Sequence, residues 1–193
     1  MRRENAQKTR RAANQLFPNE KWVSVASIKL AQKGLDFEIP DGIENIKVAK
    51  SRLTPSRNRS GISNNDARTL VKEIRQAKVL INKNTSIFIL PKMKAADGSY
   101  IHGPDALVNG TLYEFKTVTG SIDKVERRFR ESREQGQNVF IRVMNSGISK
   151  SDILTKIKTV LNDPLYKGGT KGQIVFHLSQ TQRTYYMRIK DLK

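Results

Sequence analysis

The stretch GPDALVNGTLYEFK, residues 103–116, decides the fold around which the rest of the chain is organised. It has the pattern of two short strands joined by Asn109-Gly110, two residues that tolerate the positive φ angles of a type I′ turn. Because a two-residue loop fixes the register of a hairpin, Asp105 is predicted to lie directly opposite Glu114 on the same face. Their Cβ atoms would then be roughly 5 Å apart.

This predicted pair of carboxylates favours a shared cation. Like charges placed opposite each other destabilise a sheet, so Asp105 and Glu114 predict either a shared proton or a cation between them. Lys116 lies on the face of Glu114, and Gly103 opposite it leaves open space. Such a site suits Mg²⁺ and a phosphate, since Mg²⁺ binds one or two carboxylates together with waters and substrate oxygens. The alternative is a solvated hairpin with an ordinary Glu-Lys ion pair.

The composition of the chain indicates a polyanionic partner. It has 36 Lys and Arg residues against 18 Asp and Glu residues, a formal net charge of +18. This excess is not needed for folding and adds self-repulsion, so nucleic acid is the leading partner and a membrane surface the rival. The absence of cysteine excludes disulfides and thiolate metal sites. No apolar run long enough for a signal peptide or a membrane span follows the first residues, so if the protein is exported its signal lies elsewhere, for instance on a larger precursor.

The pattern along the chain predicts two regions. Residues 1–62 form a basic, packed or partly flexible segment for entry or docking, in which the apolar residues from Trp22 onward predict a strand and a short helix. Residues 47–65 contain no acid and suit a phosphate-contacting linker or a merely solvated loop. Residues 63–193 predict an α+β domain. Its elements are a helix from about residue 63 capped by Asn64, Asn65 or Asp66, a strand at 86–90, a loop and the hairpin, a helix from Ser121 to about 136, a strand at 138–143, a helix at 149–161, and strands at 173–179 and 183–190.

The motif Pro104-Asp105 followed by Glu114-Phe115-Lys116 resembles the PD-(D/E)xK nuclease superfamily. The resemblance implies an αβββαβ core over about residues 63–145, with a mixed central sheet flanked by helices. It implies that Asp105 and Glu114 bind Mg²⁺ or Mn²⁺, that the Phe115 carbonyl is a further ligand, and that Lys116 orients or activates the attacking water. The basic N-terminal extension and the C-terminal helix and β-hairpin are additions to this core.

The resemblance also implies an acidic residue on the first core helix. Asp66 is the first choice because it lies near the start of that helix. Glu73 is the second choice, since seven positions further on it falls on nearly the same face. The competing interpretations are that Asp66 caps the helix and that Glu73 faces solvent.

The helix after the motif carries a group of cations that could bind substrate phosphates. Its apolar stripe is expected to face the sheet, so the cations are predicted to project around the rim, or else to form i,i+3 and i,i+4 ion pairs on a solvated face. Thr117 and Thr119 could donate hydrogen bonds to a phosphate, although their β-propensity also explains them. The cations are Lys124, Arg127, Arg128, Arg130 and Arg133.

Two other catalytic patterns are weaker. His102 and His177 could cut RNA without a metal, but nothing in the sequence brings them together. The chain lacks a cysteine and a nucleophile-elbow pattern, which disfavours a nucleophilic triad. The glycine-rich stretch at 168–172 lacks the spacing of a phosphate loop and is interpreted as a turn.

Within that superfamily, the hairpin motif with the basic helix and strand after it looks most like the C-terminal toxin domains of contact-dependent growth inhibition and polymorphic toxin systems. That resemblance implies a tRNA nuclease, secreted or delivered from a larger bacterial precursor, which acts in the target-cell cytoplasm. It also implies neutralisation by an acidic cognate immunity protein. The alternatives are a phage or mobile-element DNase or resolvase with the same core, and a non-catalytic nucleic-acid-binding protein. Oligomeric state does not follow from the sequence.

Overall fold

The computed structural model describes residues 2–28, 31–32, 35–36, 43–53, 62–82, 84–97, 99–101, 103–135, 138–166, 169 and 171–193. The chain divides into two compact units, Met1–Thr111 and Leu112–Lys193. The functional division predicted at residue 62 stays a prediction, and residues 54–61 of the predicted linker lie outside the described residues. Among the described residues, no helix is long and apolar enough to cross a membrane.

Among its described residues, the first unit contains two α-helices, four strands of a mixed sheet and two further pairs of short strands. Its elements in chain order are α1 (Arg2–Leu16), β1 (Trp22–Ser24), a 3₁₀ turn (Val25–Ser27), β2 (Ala31–Gln32), β3 (Leu35–Asp36), β4 (Ile46–Ala49), a 3₁₀ turn (Lys50–Leu53), α2 (Asn64–Leu80), β5 (Ile87–Ile89), β6 (Met93–Lys94), β7 (Tyr100–Ile101) and β8 (Ala106–Val108).

The sheet of the first unit has the strand order β1-β4-β5-β8. β1 is antiparallel to β4, β4 is parallel to β5, and β5 is antiparallel to β8. Successive side chains of a strand point to opposite faces of the sheet. One face therefore carries the fully buried residues Ile46, Val48, Ile87 and Ile89. The other face carries Lys47 and its neighbour Phe88. α1 contacts β5 and β8, and α2 contacts β4 and β5.

The second unit is built on a second mixed run of strands. Its elements are β9 (Thr111–Val118, whose first residue belongs to the first unit), α3 (Asp123–Gln135), β10 (Asn138–Val143), α4 (Lys150–Asn162), β11 (Gln173–Leu178), β12 (Arg183–Arg188) and a 3₁₀ turn (Ile189–Leu192). The order is β9-β10-β11-β12, in which the first two pairs are parallel and the last is antiparallel.

The core of the second unit lies between this sheet and its two long helices. β10 and β11 are central strands and read as nearly continuous apolar runs, as buried parallel strands do. Val139, Ile141 and Phe176 contribute to one buried cluster with Phe129 of α3 and Ile157 of α4. α4 begins with a capping box in which Ser149 and Asp152 bond each other's backbone N–H groups.

The predicted α+β class is confirmed, with four α-helices and mixed sheet among the described residues. Four local predictions need correction. Residues 47–53 of the predicted linker are not a loop, because they form the end of β4 and a 3₁₀ turn and include the buried Val48 and Arg52. The open space expected at Gly103 is occupied by the Met93 side chain, which a Cβ there would overlap. The stretch before the hairpin was expected to be a loop, but it contains the paired strands β6 and β7. The N-cap of α2 is Ser63 and not one of residues 64–66, because the Ser63 side chain accepts a hydrogen bond from the Asp66 N–H.

Candidate active-site residues

The turn before β9 has the backbone that the sequence requires. Asn109 and Gly110 have φ angles of 51° and 81°, both in the left-handed region that a type I′ turn needs. The Asn109 side chain also fastens the turn to the start of β5, because its Oδ1 accepts a hydrogen bond from the Ser86 N–H at 2.9 Å. The Asn109 N–H in turn donates to the Ser86 carbonyl at 2.9 Å.

The buried Glu114 and the half-buried Lys116 form an ion pair on β9. The two residues align with Val139 and Ile141 of β10, so their side chains share a face with part of the apolar core. Glu114 is only 4% exposed, and the Lys116 Nζ lies 2.6 Å from its Oε1. A carboxylate so far from water is costly unless it is paired. The structure therefore places a carboxylate and an ammonium group together on one face of β9, as strand alternation predicts.

Phe115 points to the opposite face of β9. Its ring packs edge-on against Phe140, with ring centroids 5.6 Å apart. The side chain is thus a packing element, and the predicted role of this residue as a metal ligand concerns only its backbone carbonyl.

Asp105 belongs to a cluster in the first unit that the sequence did not predict. Its carbonyl accepts the Leu90 N–H at 2.9 Å, and the Leu90 carbonyl accepts a hydrogen bond from Arg52 Nη1 at 3.0 Å. The Arg52 Nη2 donates to both carboxylate oxygens of Glu73, at 3.0 and 2.9 Å. We call Arg52, Glu73 and Asp105 the Arg52 cluster.

Glu73 is the helix acid that is electrostatically linked to Asp105. Burial raises the pKa of Glu73 to about 7, the Arg52 charge opposes this rise, and the Asp105 charge adds to it. The expectation that Glu73 faces solvent is therefore wrong, since it is 6% exposed. No local pattern marks Arg52, because its partner lies 21 positions away in the chain.

The Asp66 carboxylate, in the first turn of α2, forms a hydrogen bond and an ion pair. Its Oδ2 accepts a hydrogen bond from the Ser63 hydroxyl at 2.6 Å, and its Oδ1 lies 3.0 Å from Lys92 Nζ. The hydrogen bond from Ser63 and then that from Lys92 lower the pKa of this carboxyl. The spacing Ser-x-x-Asp could have identified this pairing from the sequence.

The cations of α3 differ in how strongly they are held. Arg128 pairs with Glu131 at 2.8 Å, and Arg130 pairs with Asp163 at 2.6 Å and with Glu126 at 3.3 Å. Arg127 is only weakly paired, 3.7 Å from Glu131, and its side chain is 60% exposed.

Lys124 and Thr119 are exposed, whereas Thr117 is half-buried. The prediction that Arg133 projects around the rim is wrong. It is buried, and it donates hydrogen bonds to the Tyr166 hydroxyl at 3.1 Å and to the Lys171 carbonyl at 2.8 Å. Arg133 therefore holds the segment after α4 and leaves the other cations as candidates for phosphate contact.

His177 has a structural environment. It is buried, and its Nδ1 lies 3.0 Å from the Thr184 hydroxyl on β12. Burial lowers its pKa, and the positive charge of Arg142 lowers it further. His102 and part of the glycine-rich stretch, residues 168 and 170, lie outside the described residues.

The predicted metal ligands fall in both units. Asp105 lies in the first unit, and Glu114 with Phe115 lies in the second, so the opposition of the two carboxylates stays a prediction. Across the described ranges, no group of three or more His, Asp and Glu side chains could hold a metal ion. The predicted set is smaller, with two carboxylates and one carbonyl. These are hard oxygen donors of the kind that Mg²⁺ and Mn²⁺ accept.

Comparison with known proteins gives one match, which is to a protein family. No curated protein and no solved structure is significantly similar to the chain. Residues 102–181, less than half of the chain, match the family described as "Contact-dependent growth inhibition CdiA C-terminal domain". This segment contains the Asn-Gly turn and the Glu114–Lys116 pair. The chain is thus similar over these residues to the CdiA C-terminal domains, a match that supports the toxin-domain family.

Proposed function

We propose that this protein is a metal-dependent nuclease toxin that hydrolyses phosphodiester bonds in RNA, with tRNA as the favoured substrate. The observation that carries the proposal is the Glu114–Lys116 pair, which follows a tight Asn-Gly turn inside the segment similar to CdiA C-terminal domains. The Glu114 carboxylate and the Lys116 ammonium lie 2.6 Å apart. Metal-assisted phosphodiester hydrolysis can use the carboxylate to bind the metal ion and the ammonium to orient the attacking water.

Asp105, Glu114 and the Phe115 carbonyl would hold Mg²⁺ or Mn²⁺. When bound, the ion lowers the pKa of its water and offsets the charge on a nonbridging phosphate oxygen. Lys116 would orient the attacking water, because its ammonium donates hydrogen bonds and its position is fixed by Glu114. The burial of this pair strengthens its electrostatic interactions, since it is shielded from bulk water.

We assign the helix acid to Glu73 in place of Asp66. Asp66 is committed to Ser63 and Lys92, whereas the charge of Asp105 acts on Glu73. Glu73 and Arg52 would act as positioning residues that fix the charge around Asp105. Of the α3 cations, exposed Lys124 and Arg127 are better placed than Arg128 and Arg130 to contact phosphates, together with Thr117 and Thr119.

Delivery and control are proposed from the family similarity. The protein would be delivered from a larger precursor into a target bacterial cell and act in its cytoplasm. A cognate immunity protein would neutralise it in the producing cell. An acidic partner is the expected electrostatic complement of a chain with a net charge of +18.

A cleavage panel tests the proposal. Wild-type protein is incubated with tRNA, rRNA and plasmid DNA, with Mg²⁺ and with EDTA. We expect tRNA cleavage that EDTA abolishes. Glu114→Gln should slow cleavage by more than about 100-fold, because the ion loses a charged ligand worth several kcal/mol in the transition state. Glu44→Gln, at an exposed position of the first unit, is the control that should keep full activity.

Loss of folding must be separated from loss of chemistry. Glu114→Gln leaves the half-buried Lys116 without the Glu114 carboxylate. The double variant Glu114→Gln/Lys116→Met is therefore compared by circular dichroism and thermal unfolding, since removal of both charges of a buried pair is often tolerated. Cleavage of DNA alone would favour the DNase alternative. Cleavage that persists in EDTA would favour a histidine mechanism, and binding without cleavage would favour a non-catalytic protein.

A further inference from the structure

A groove of about 380 Å³ opens on the first unit, and no residue of the Arg52 cluster lines it. Its wall comes from α1 and from the connection between α1 and β1, and its floor comes from β1, β4 and β5. The lining residues are Arg10, Asn14, Pro18, Glu20, Lys21, Trp22, Lys47 and Phe88.

The aromatic part of the groove is held in place by two contacts. The Trp22 ring meets the buried Phe88 ring edge-on, with centroids 5.0 Å apart. The Trp22 indole N–H donates a hydrogen bond to Asn14 Oδ1 at 3.1 Å. Trp22 is itself half-buried on the edge strand β1. A large flat ring is therefore fixed at an accessible position, which is the arrangement that stacks a second flat ring at low entropic cost.

Three cations line the groove together with Trp22 and Phe88. Lys47 lies with its ammonium 5.6 Å from the centre of the Phe88 ring, and Arg10 and Lys21 line the same groove. In the part of the chain that the structure describes, none of the three forms an ion pair with a carboxylate. The groove thus has positive charge available beside its aromatic ring.

The one acid among the lining residues is already bonded to its neighbours. Glu20 Oε1 accepts the N–H groups of Lys21 and Ser51, both at 3.1 Å. Its Oε2 accepts the Ser51 hydroxyl at 2.6 Å. Glu20 therefore anchors the loop to the 3₁₀ turn at residues 50–53, and the groove keeps an excess of positive charge.

We propose that this groove binds an unpaired nucleotide of a single-stranded nucleic acid. The base stacks on Trp22, and the flanking phosphates contact Arg10, Lys21 and Lys47. The groove needs neither Asp105 nor Glu114, so it is a binding subsite separate from the chemistry. Stacking accepts any base, so the subsite holds a strand without reading its sequence.

The fluorescence of Trp22 reports on binding in this groove, because Trp22 is the only tryptophan in the chain. The full chain is titrated in EDTA with an eight-nucleotide RNA, with the DNA of the same sequence, and with polyglutamate as an acidic polypeptide. We expect saturable quenching of tryptophan fluorescence by the RNA, the DNA or both. Which of the two binds more tightly identifies the source of the nucleotide. Polyglutamate should leave the fluorescence nearly unchanged.

Variants then locate the binding, with a labelled RNA followed by fluorescence anisotropy. Trp22→Leu should weaken binding by roughly 5-fold to 100-fold, the usual effect of losing one base stack, whereas Trp22→Phe keeps a ring and should recover most of the affinity. Lys47→Ala should reduce the slope of log K against log salt by about 0.7. Lys158→Ala, an exposed cation on α4, is the matched control and should change neither quantity.

The proposal fails if Trp22→Leu binds like the wild type, or if polyglutamate quenches Trp22 as well as RNA does. The second result would assign the groove to an acidic polypeptide. Because all titrations are done in EDTA, they are independent of the proposed nuclease activity. Binding at the groove without cleavage in Mg²⁺ would refute the proposed nuclease activity and support the groove as a nucleotide site. Cleavage without fluorescence quenching would support the nuclease activity and refute the nucleotide site.

Discussion

At the scale of single residues, Glu73 shows how position changes the chemistry of a side chain. Its sequence context on α2 is that of a surface glutamate, yet it is buried and bonded through both oxygens to Arg52. Removing a carboxylate from water favours its protonated form, and here burial outweighs the attraction to arginine. The result is an acid that titrates near neutral pH in the cluster with Asp105.

We expect a pH-dependent contribution of Glu73 to stability. Its pKa rises from 4.5 to about 7 on folding, so between these values the folded chain holds a proton that the unfolded chain releases. Stability from this group therefore increases as pH falls from about 7 to 4.5. In thermal unfolding, the Tm of wild type minus the Tm of Glu73→Gln should increase as the pH falls from 8 to 5. Exposed Glu44→Gln should show no such trend, and a constant Tm difference for Glu73→Gln would contradict the raised pKa.

At the scale of elements, the tight turn at Asn109-Gly110 sets where β9 begins. Both residues have positive φ angles, and Asn109 bonds the backbone of Ser86 before β5. The left-handed backbone is nearly free for glycine but costs other residues energy, because Cβ approaches the following carbonyl. The turn thus fixes the residue at which β9 begins, and alternation along β9 puts Glu114 and Lys116 on one face.

Gly110→Ala should destabilise the protein by about 1 kcal/mol, or roughly 2–4 °C in Tm for a chain of this size. The added Cβ would also lie 3.2 Å from Cγ of Lys8, a flexible side chain that can move, so backbone strain is the main term. Gly147→Ala is the matched control, since its φ is not in the left-handed region and its Cβ would meet Asn145 Oδ1 only at 3.4 Å. Equal shifts for the two variants in differential scanning calorimetry would rule out the strain argument.

At the scale of the whole molecule, charge would govern the encounter with the proposed nucleic-acid substrate. Cations outnumber acids by two to one. Several cations are used internally, among them Arg52, Arg130 and Arg133. Others, including Lys124 and the cations of the groove, are exposed or line a surface opening. Binding is therefore expected to be dominated by contacts to phosphates and to be largely insensitive to sequence.

Affinity for tRNA should fall steeply with salt. Each phosphate neutralised releases counterions, so log K should decrease linearly with log salt, with a slope of about −0.7 to −0.9 per contact. Filter binding in EDTA between 50 and 200 mM salt measures the slope without cleavage. Uncharged sucrose at matched osmolality is the control. An affinity that stays constant over this range would contradict a phosphate-dominated interface.

The sequence alone determined the features that depend on neighbours in the chain. Positive φ angles at Asn109-Gly110 follow from the two residue types, and the helices and main strands after residue 62 follow from periodicity. The shared face of Glu114 and Lys116 follows from strand alternation. The net charge requires no structure. These predictions succeeded because their physical causes act over a few residues.

Only the tertiary structure decided which distant residues meet. Arg52 reaches Glu73 across 21 positions, Arg133 is buried by a segment more than 30 positions away, and Trp22 meets Phe88 to form an aromatic floor. Tertiary packing brings these residues together. Burial and pairing between distant segments are properties of the folded chain, so local composition does not predict them. A glutamate in a polar helix or a lone tryptophan in a basic segment therefore acquires its chemical role only when the chain has folded.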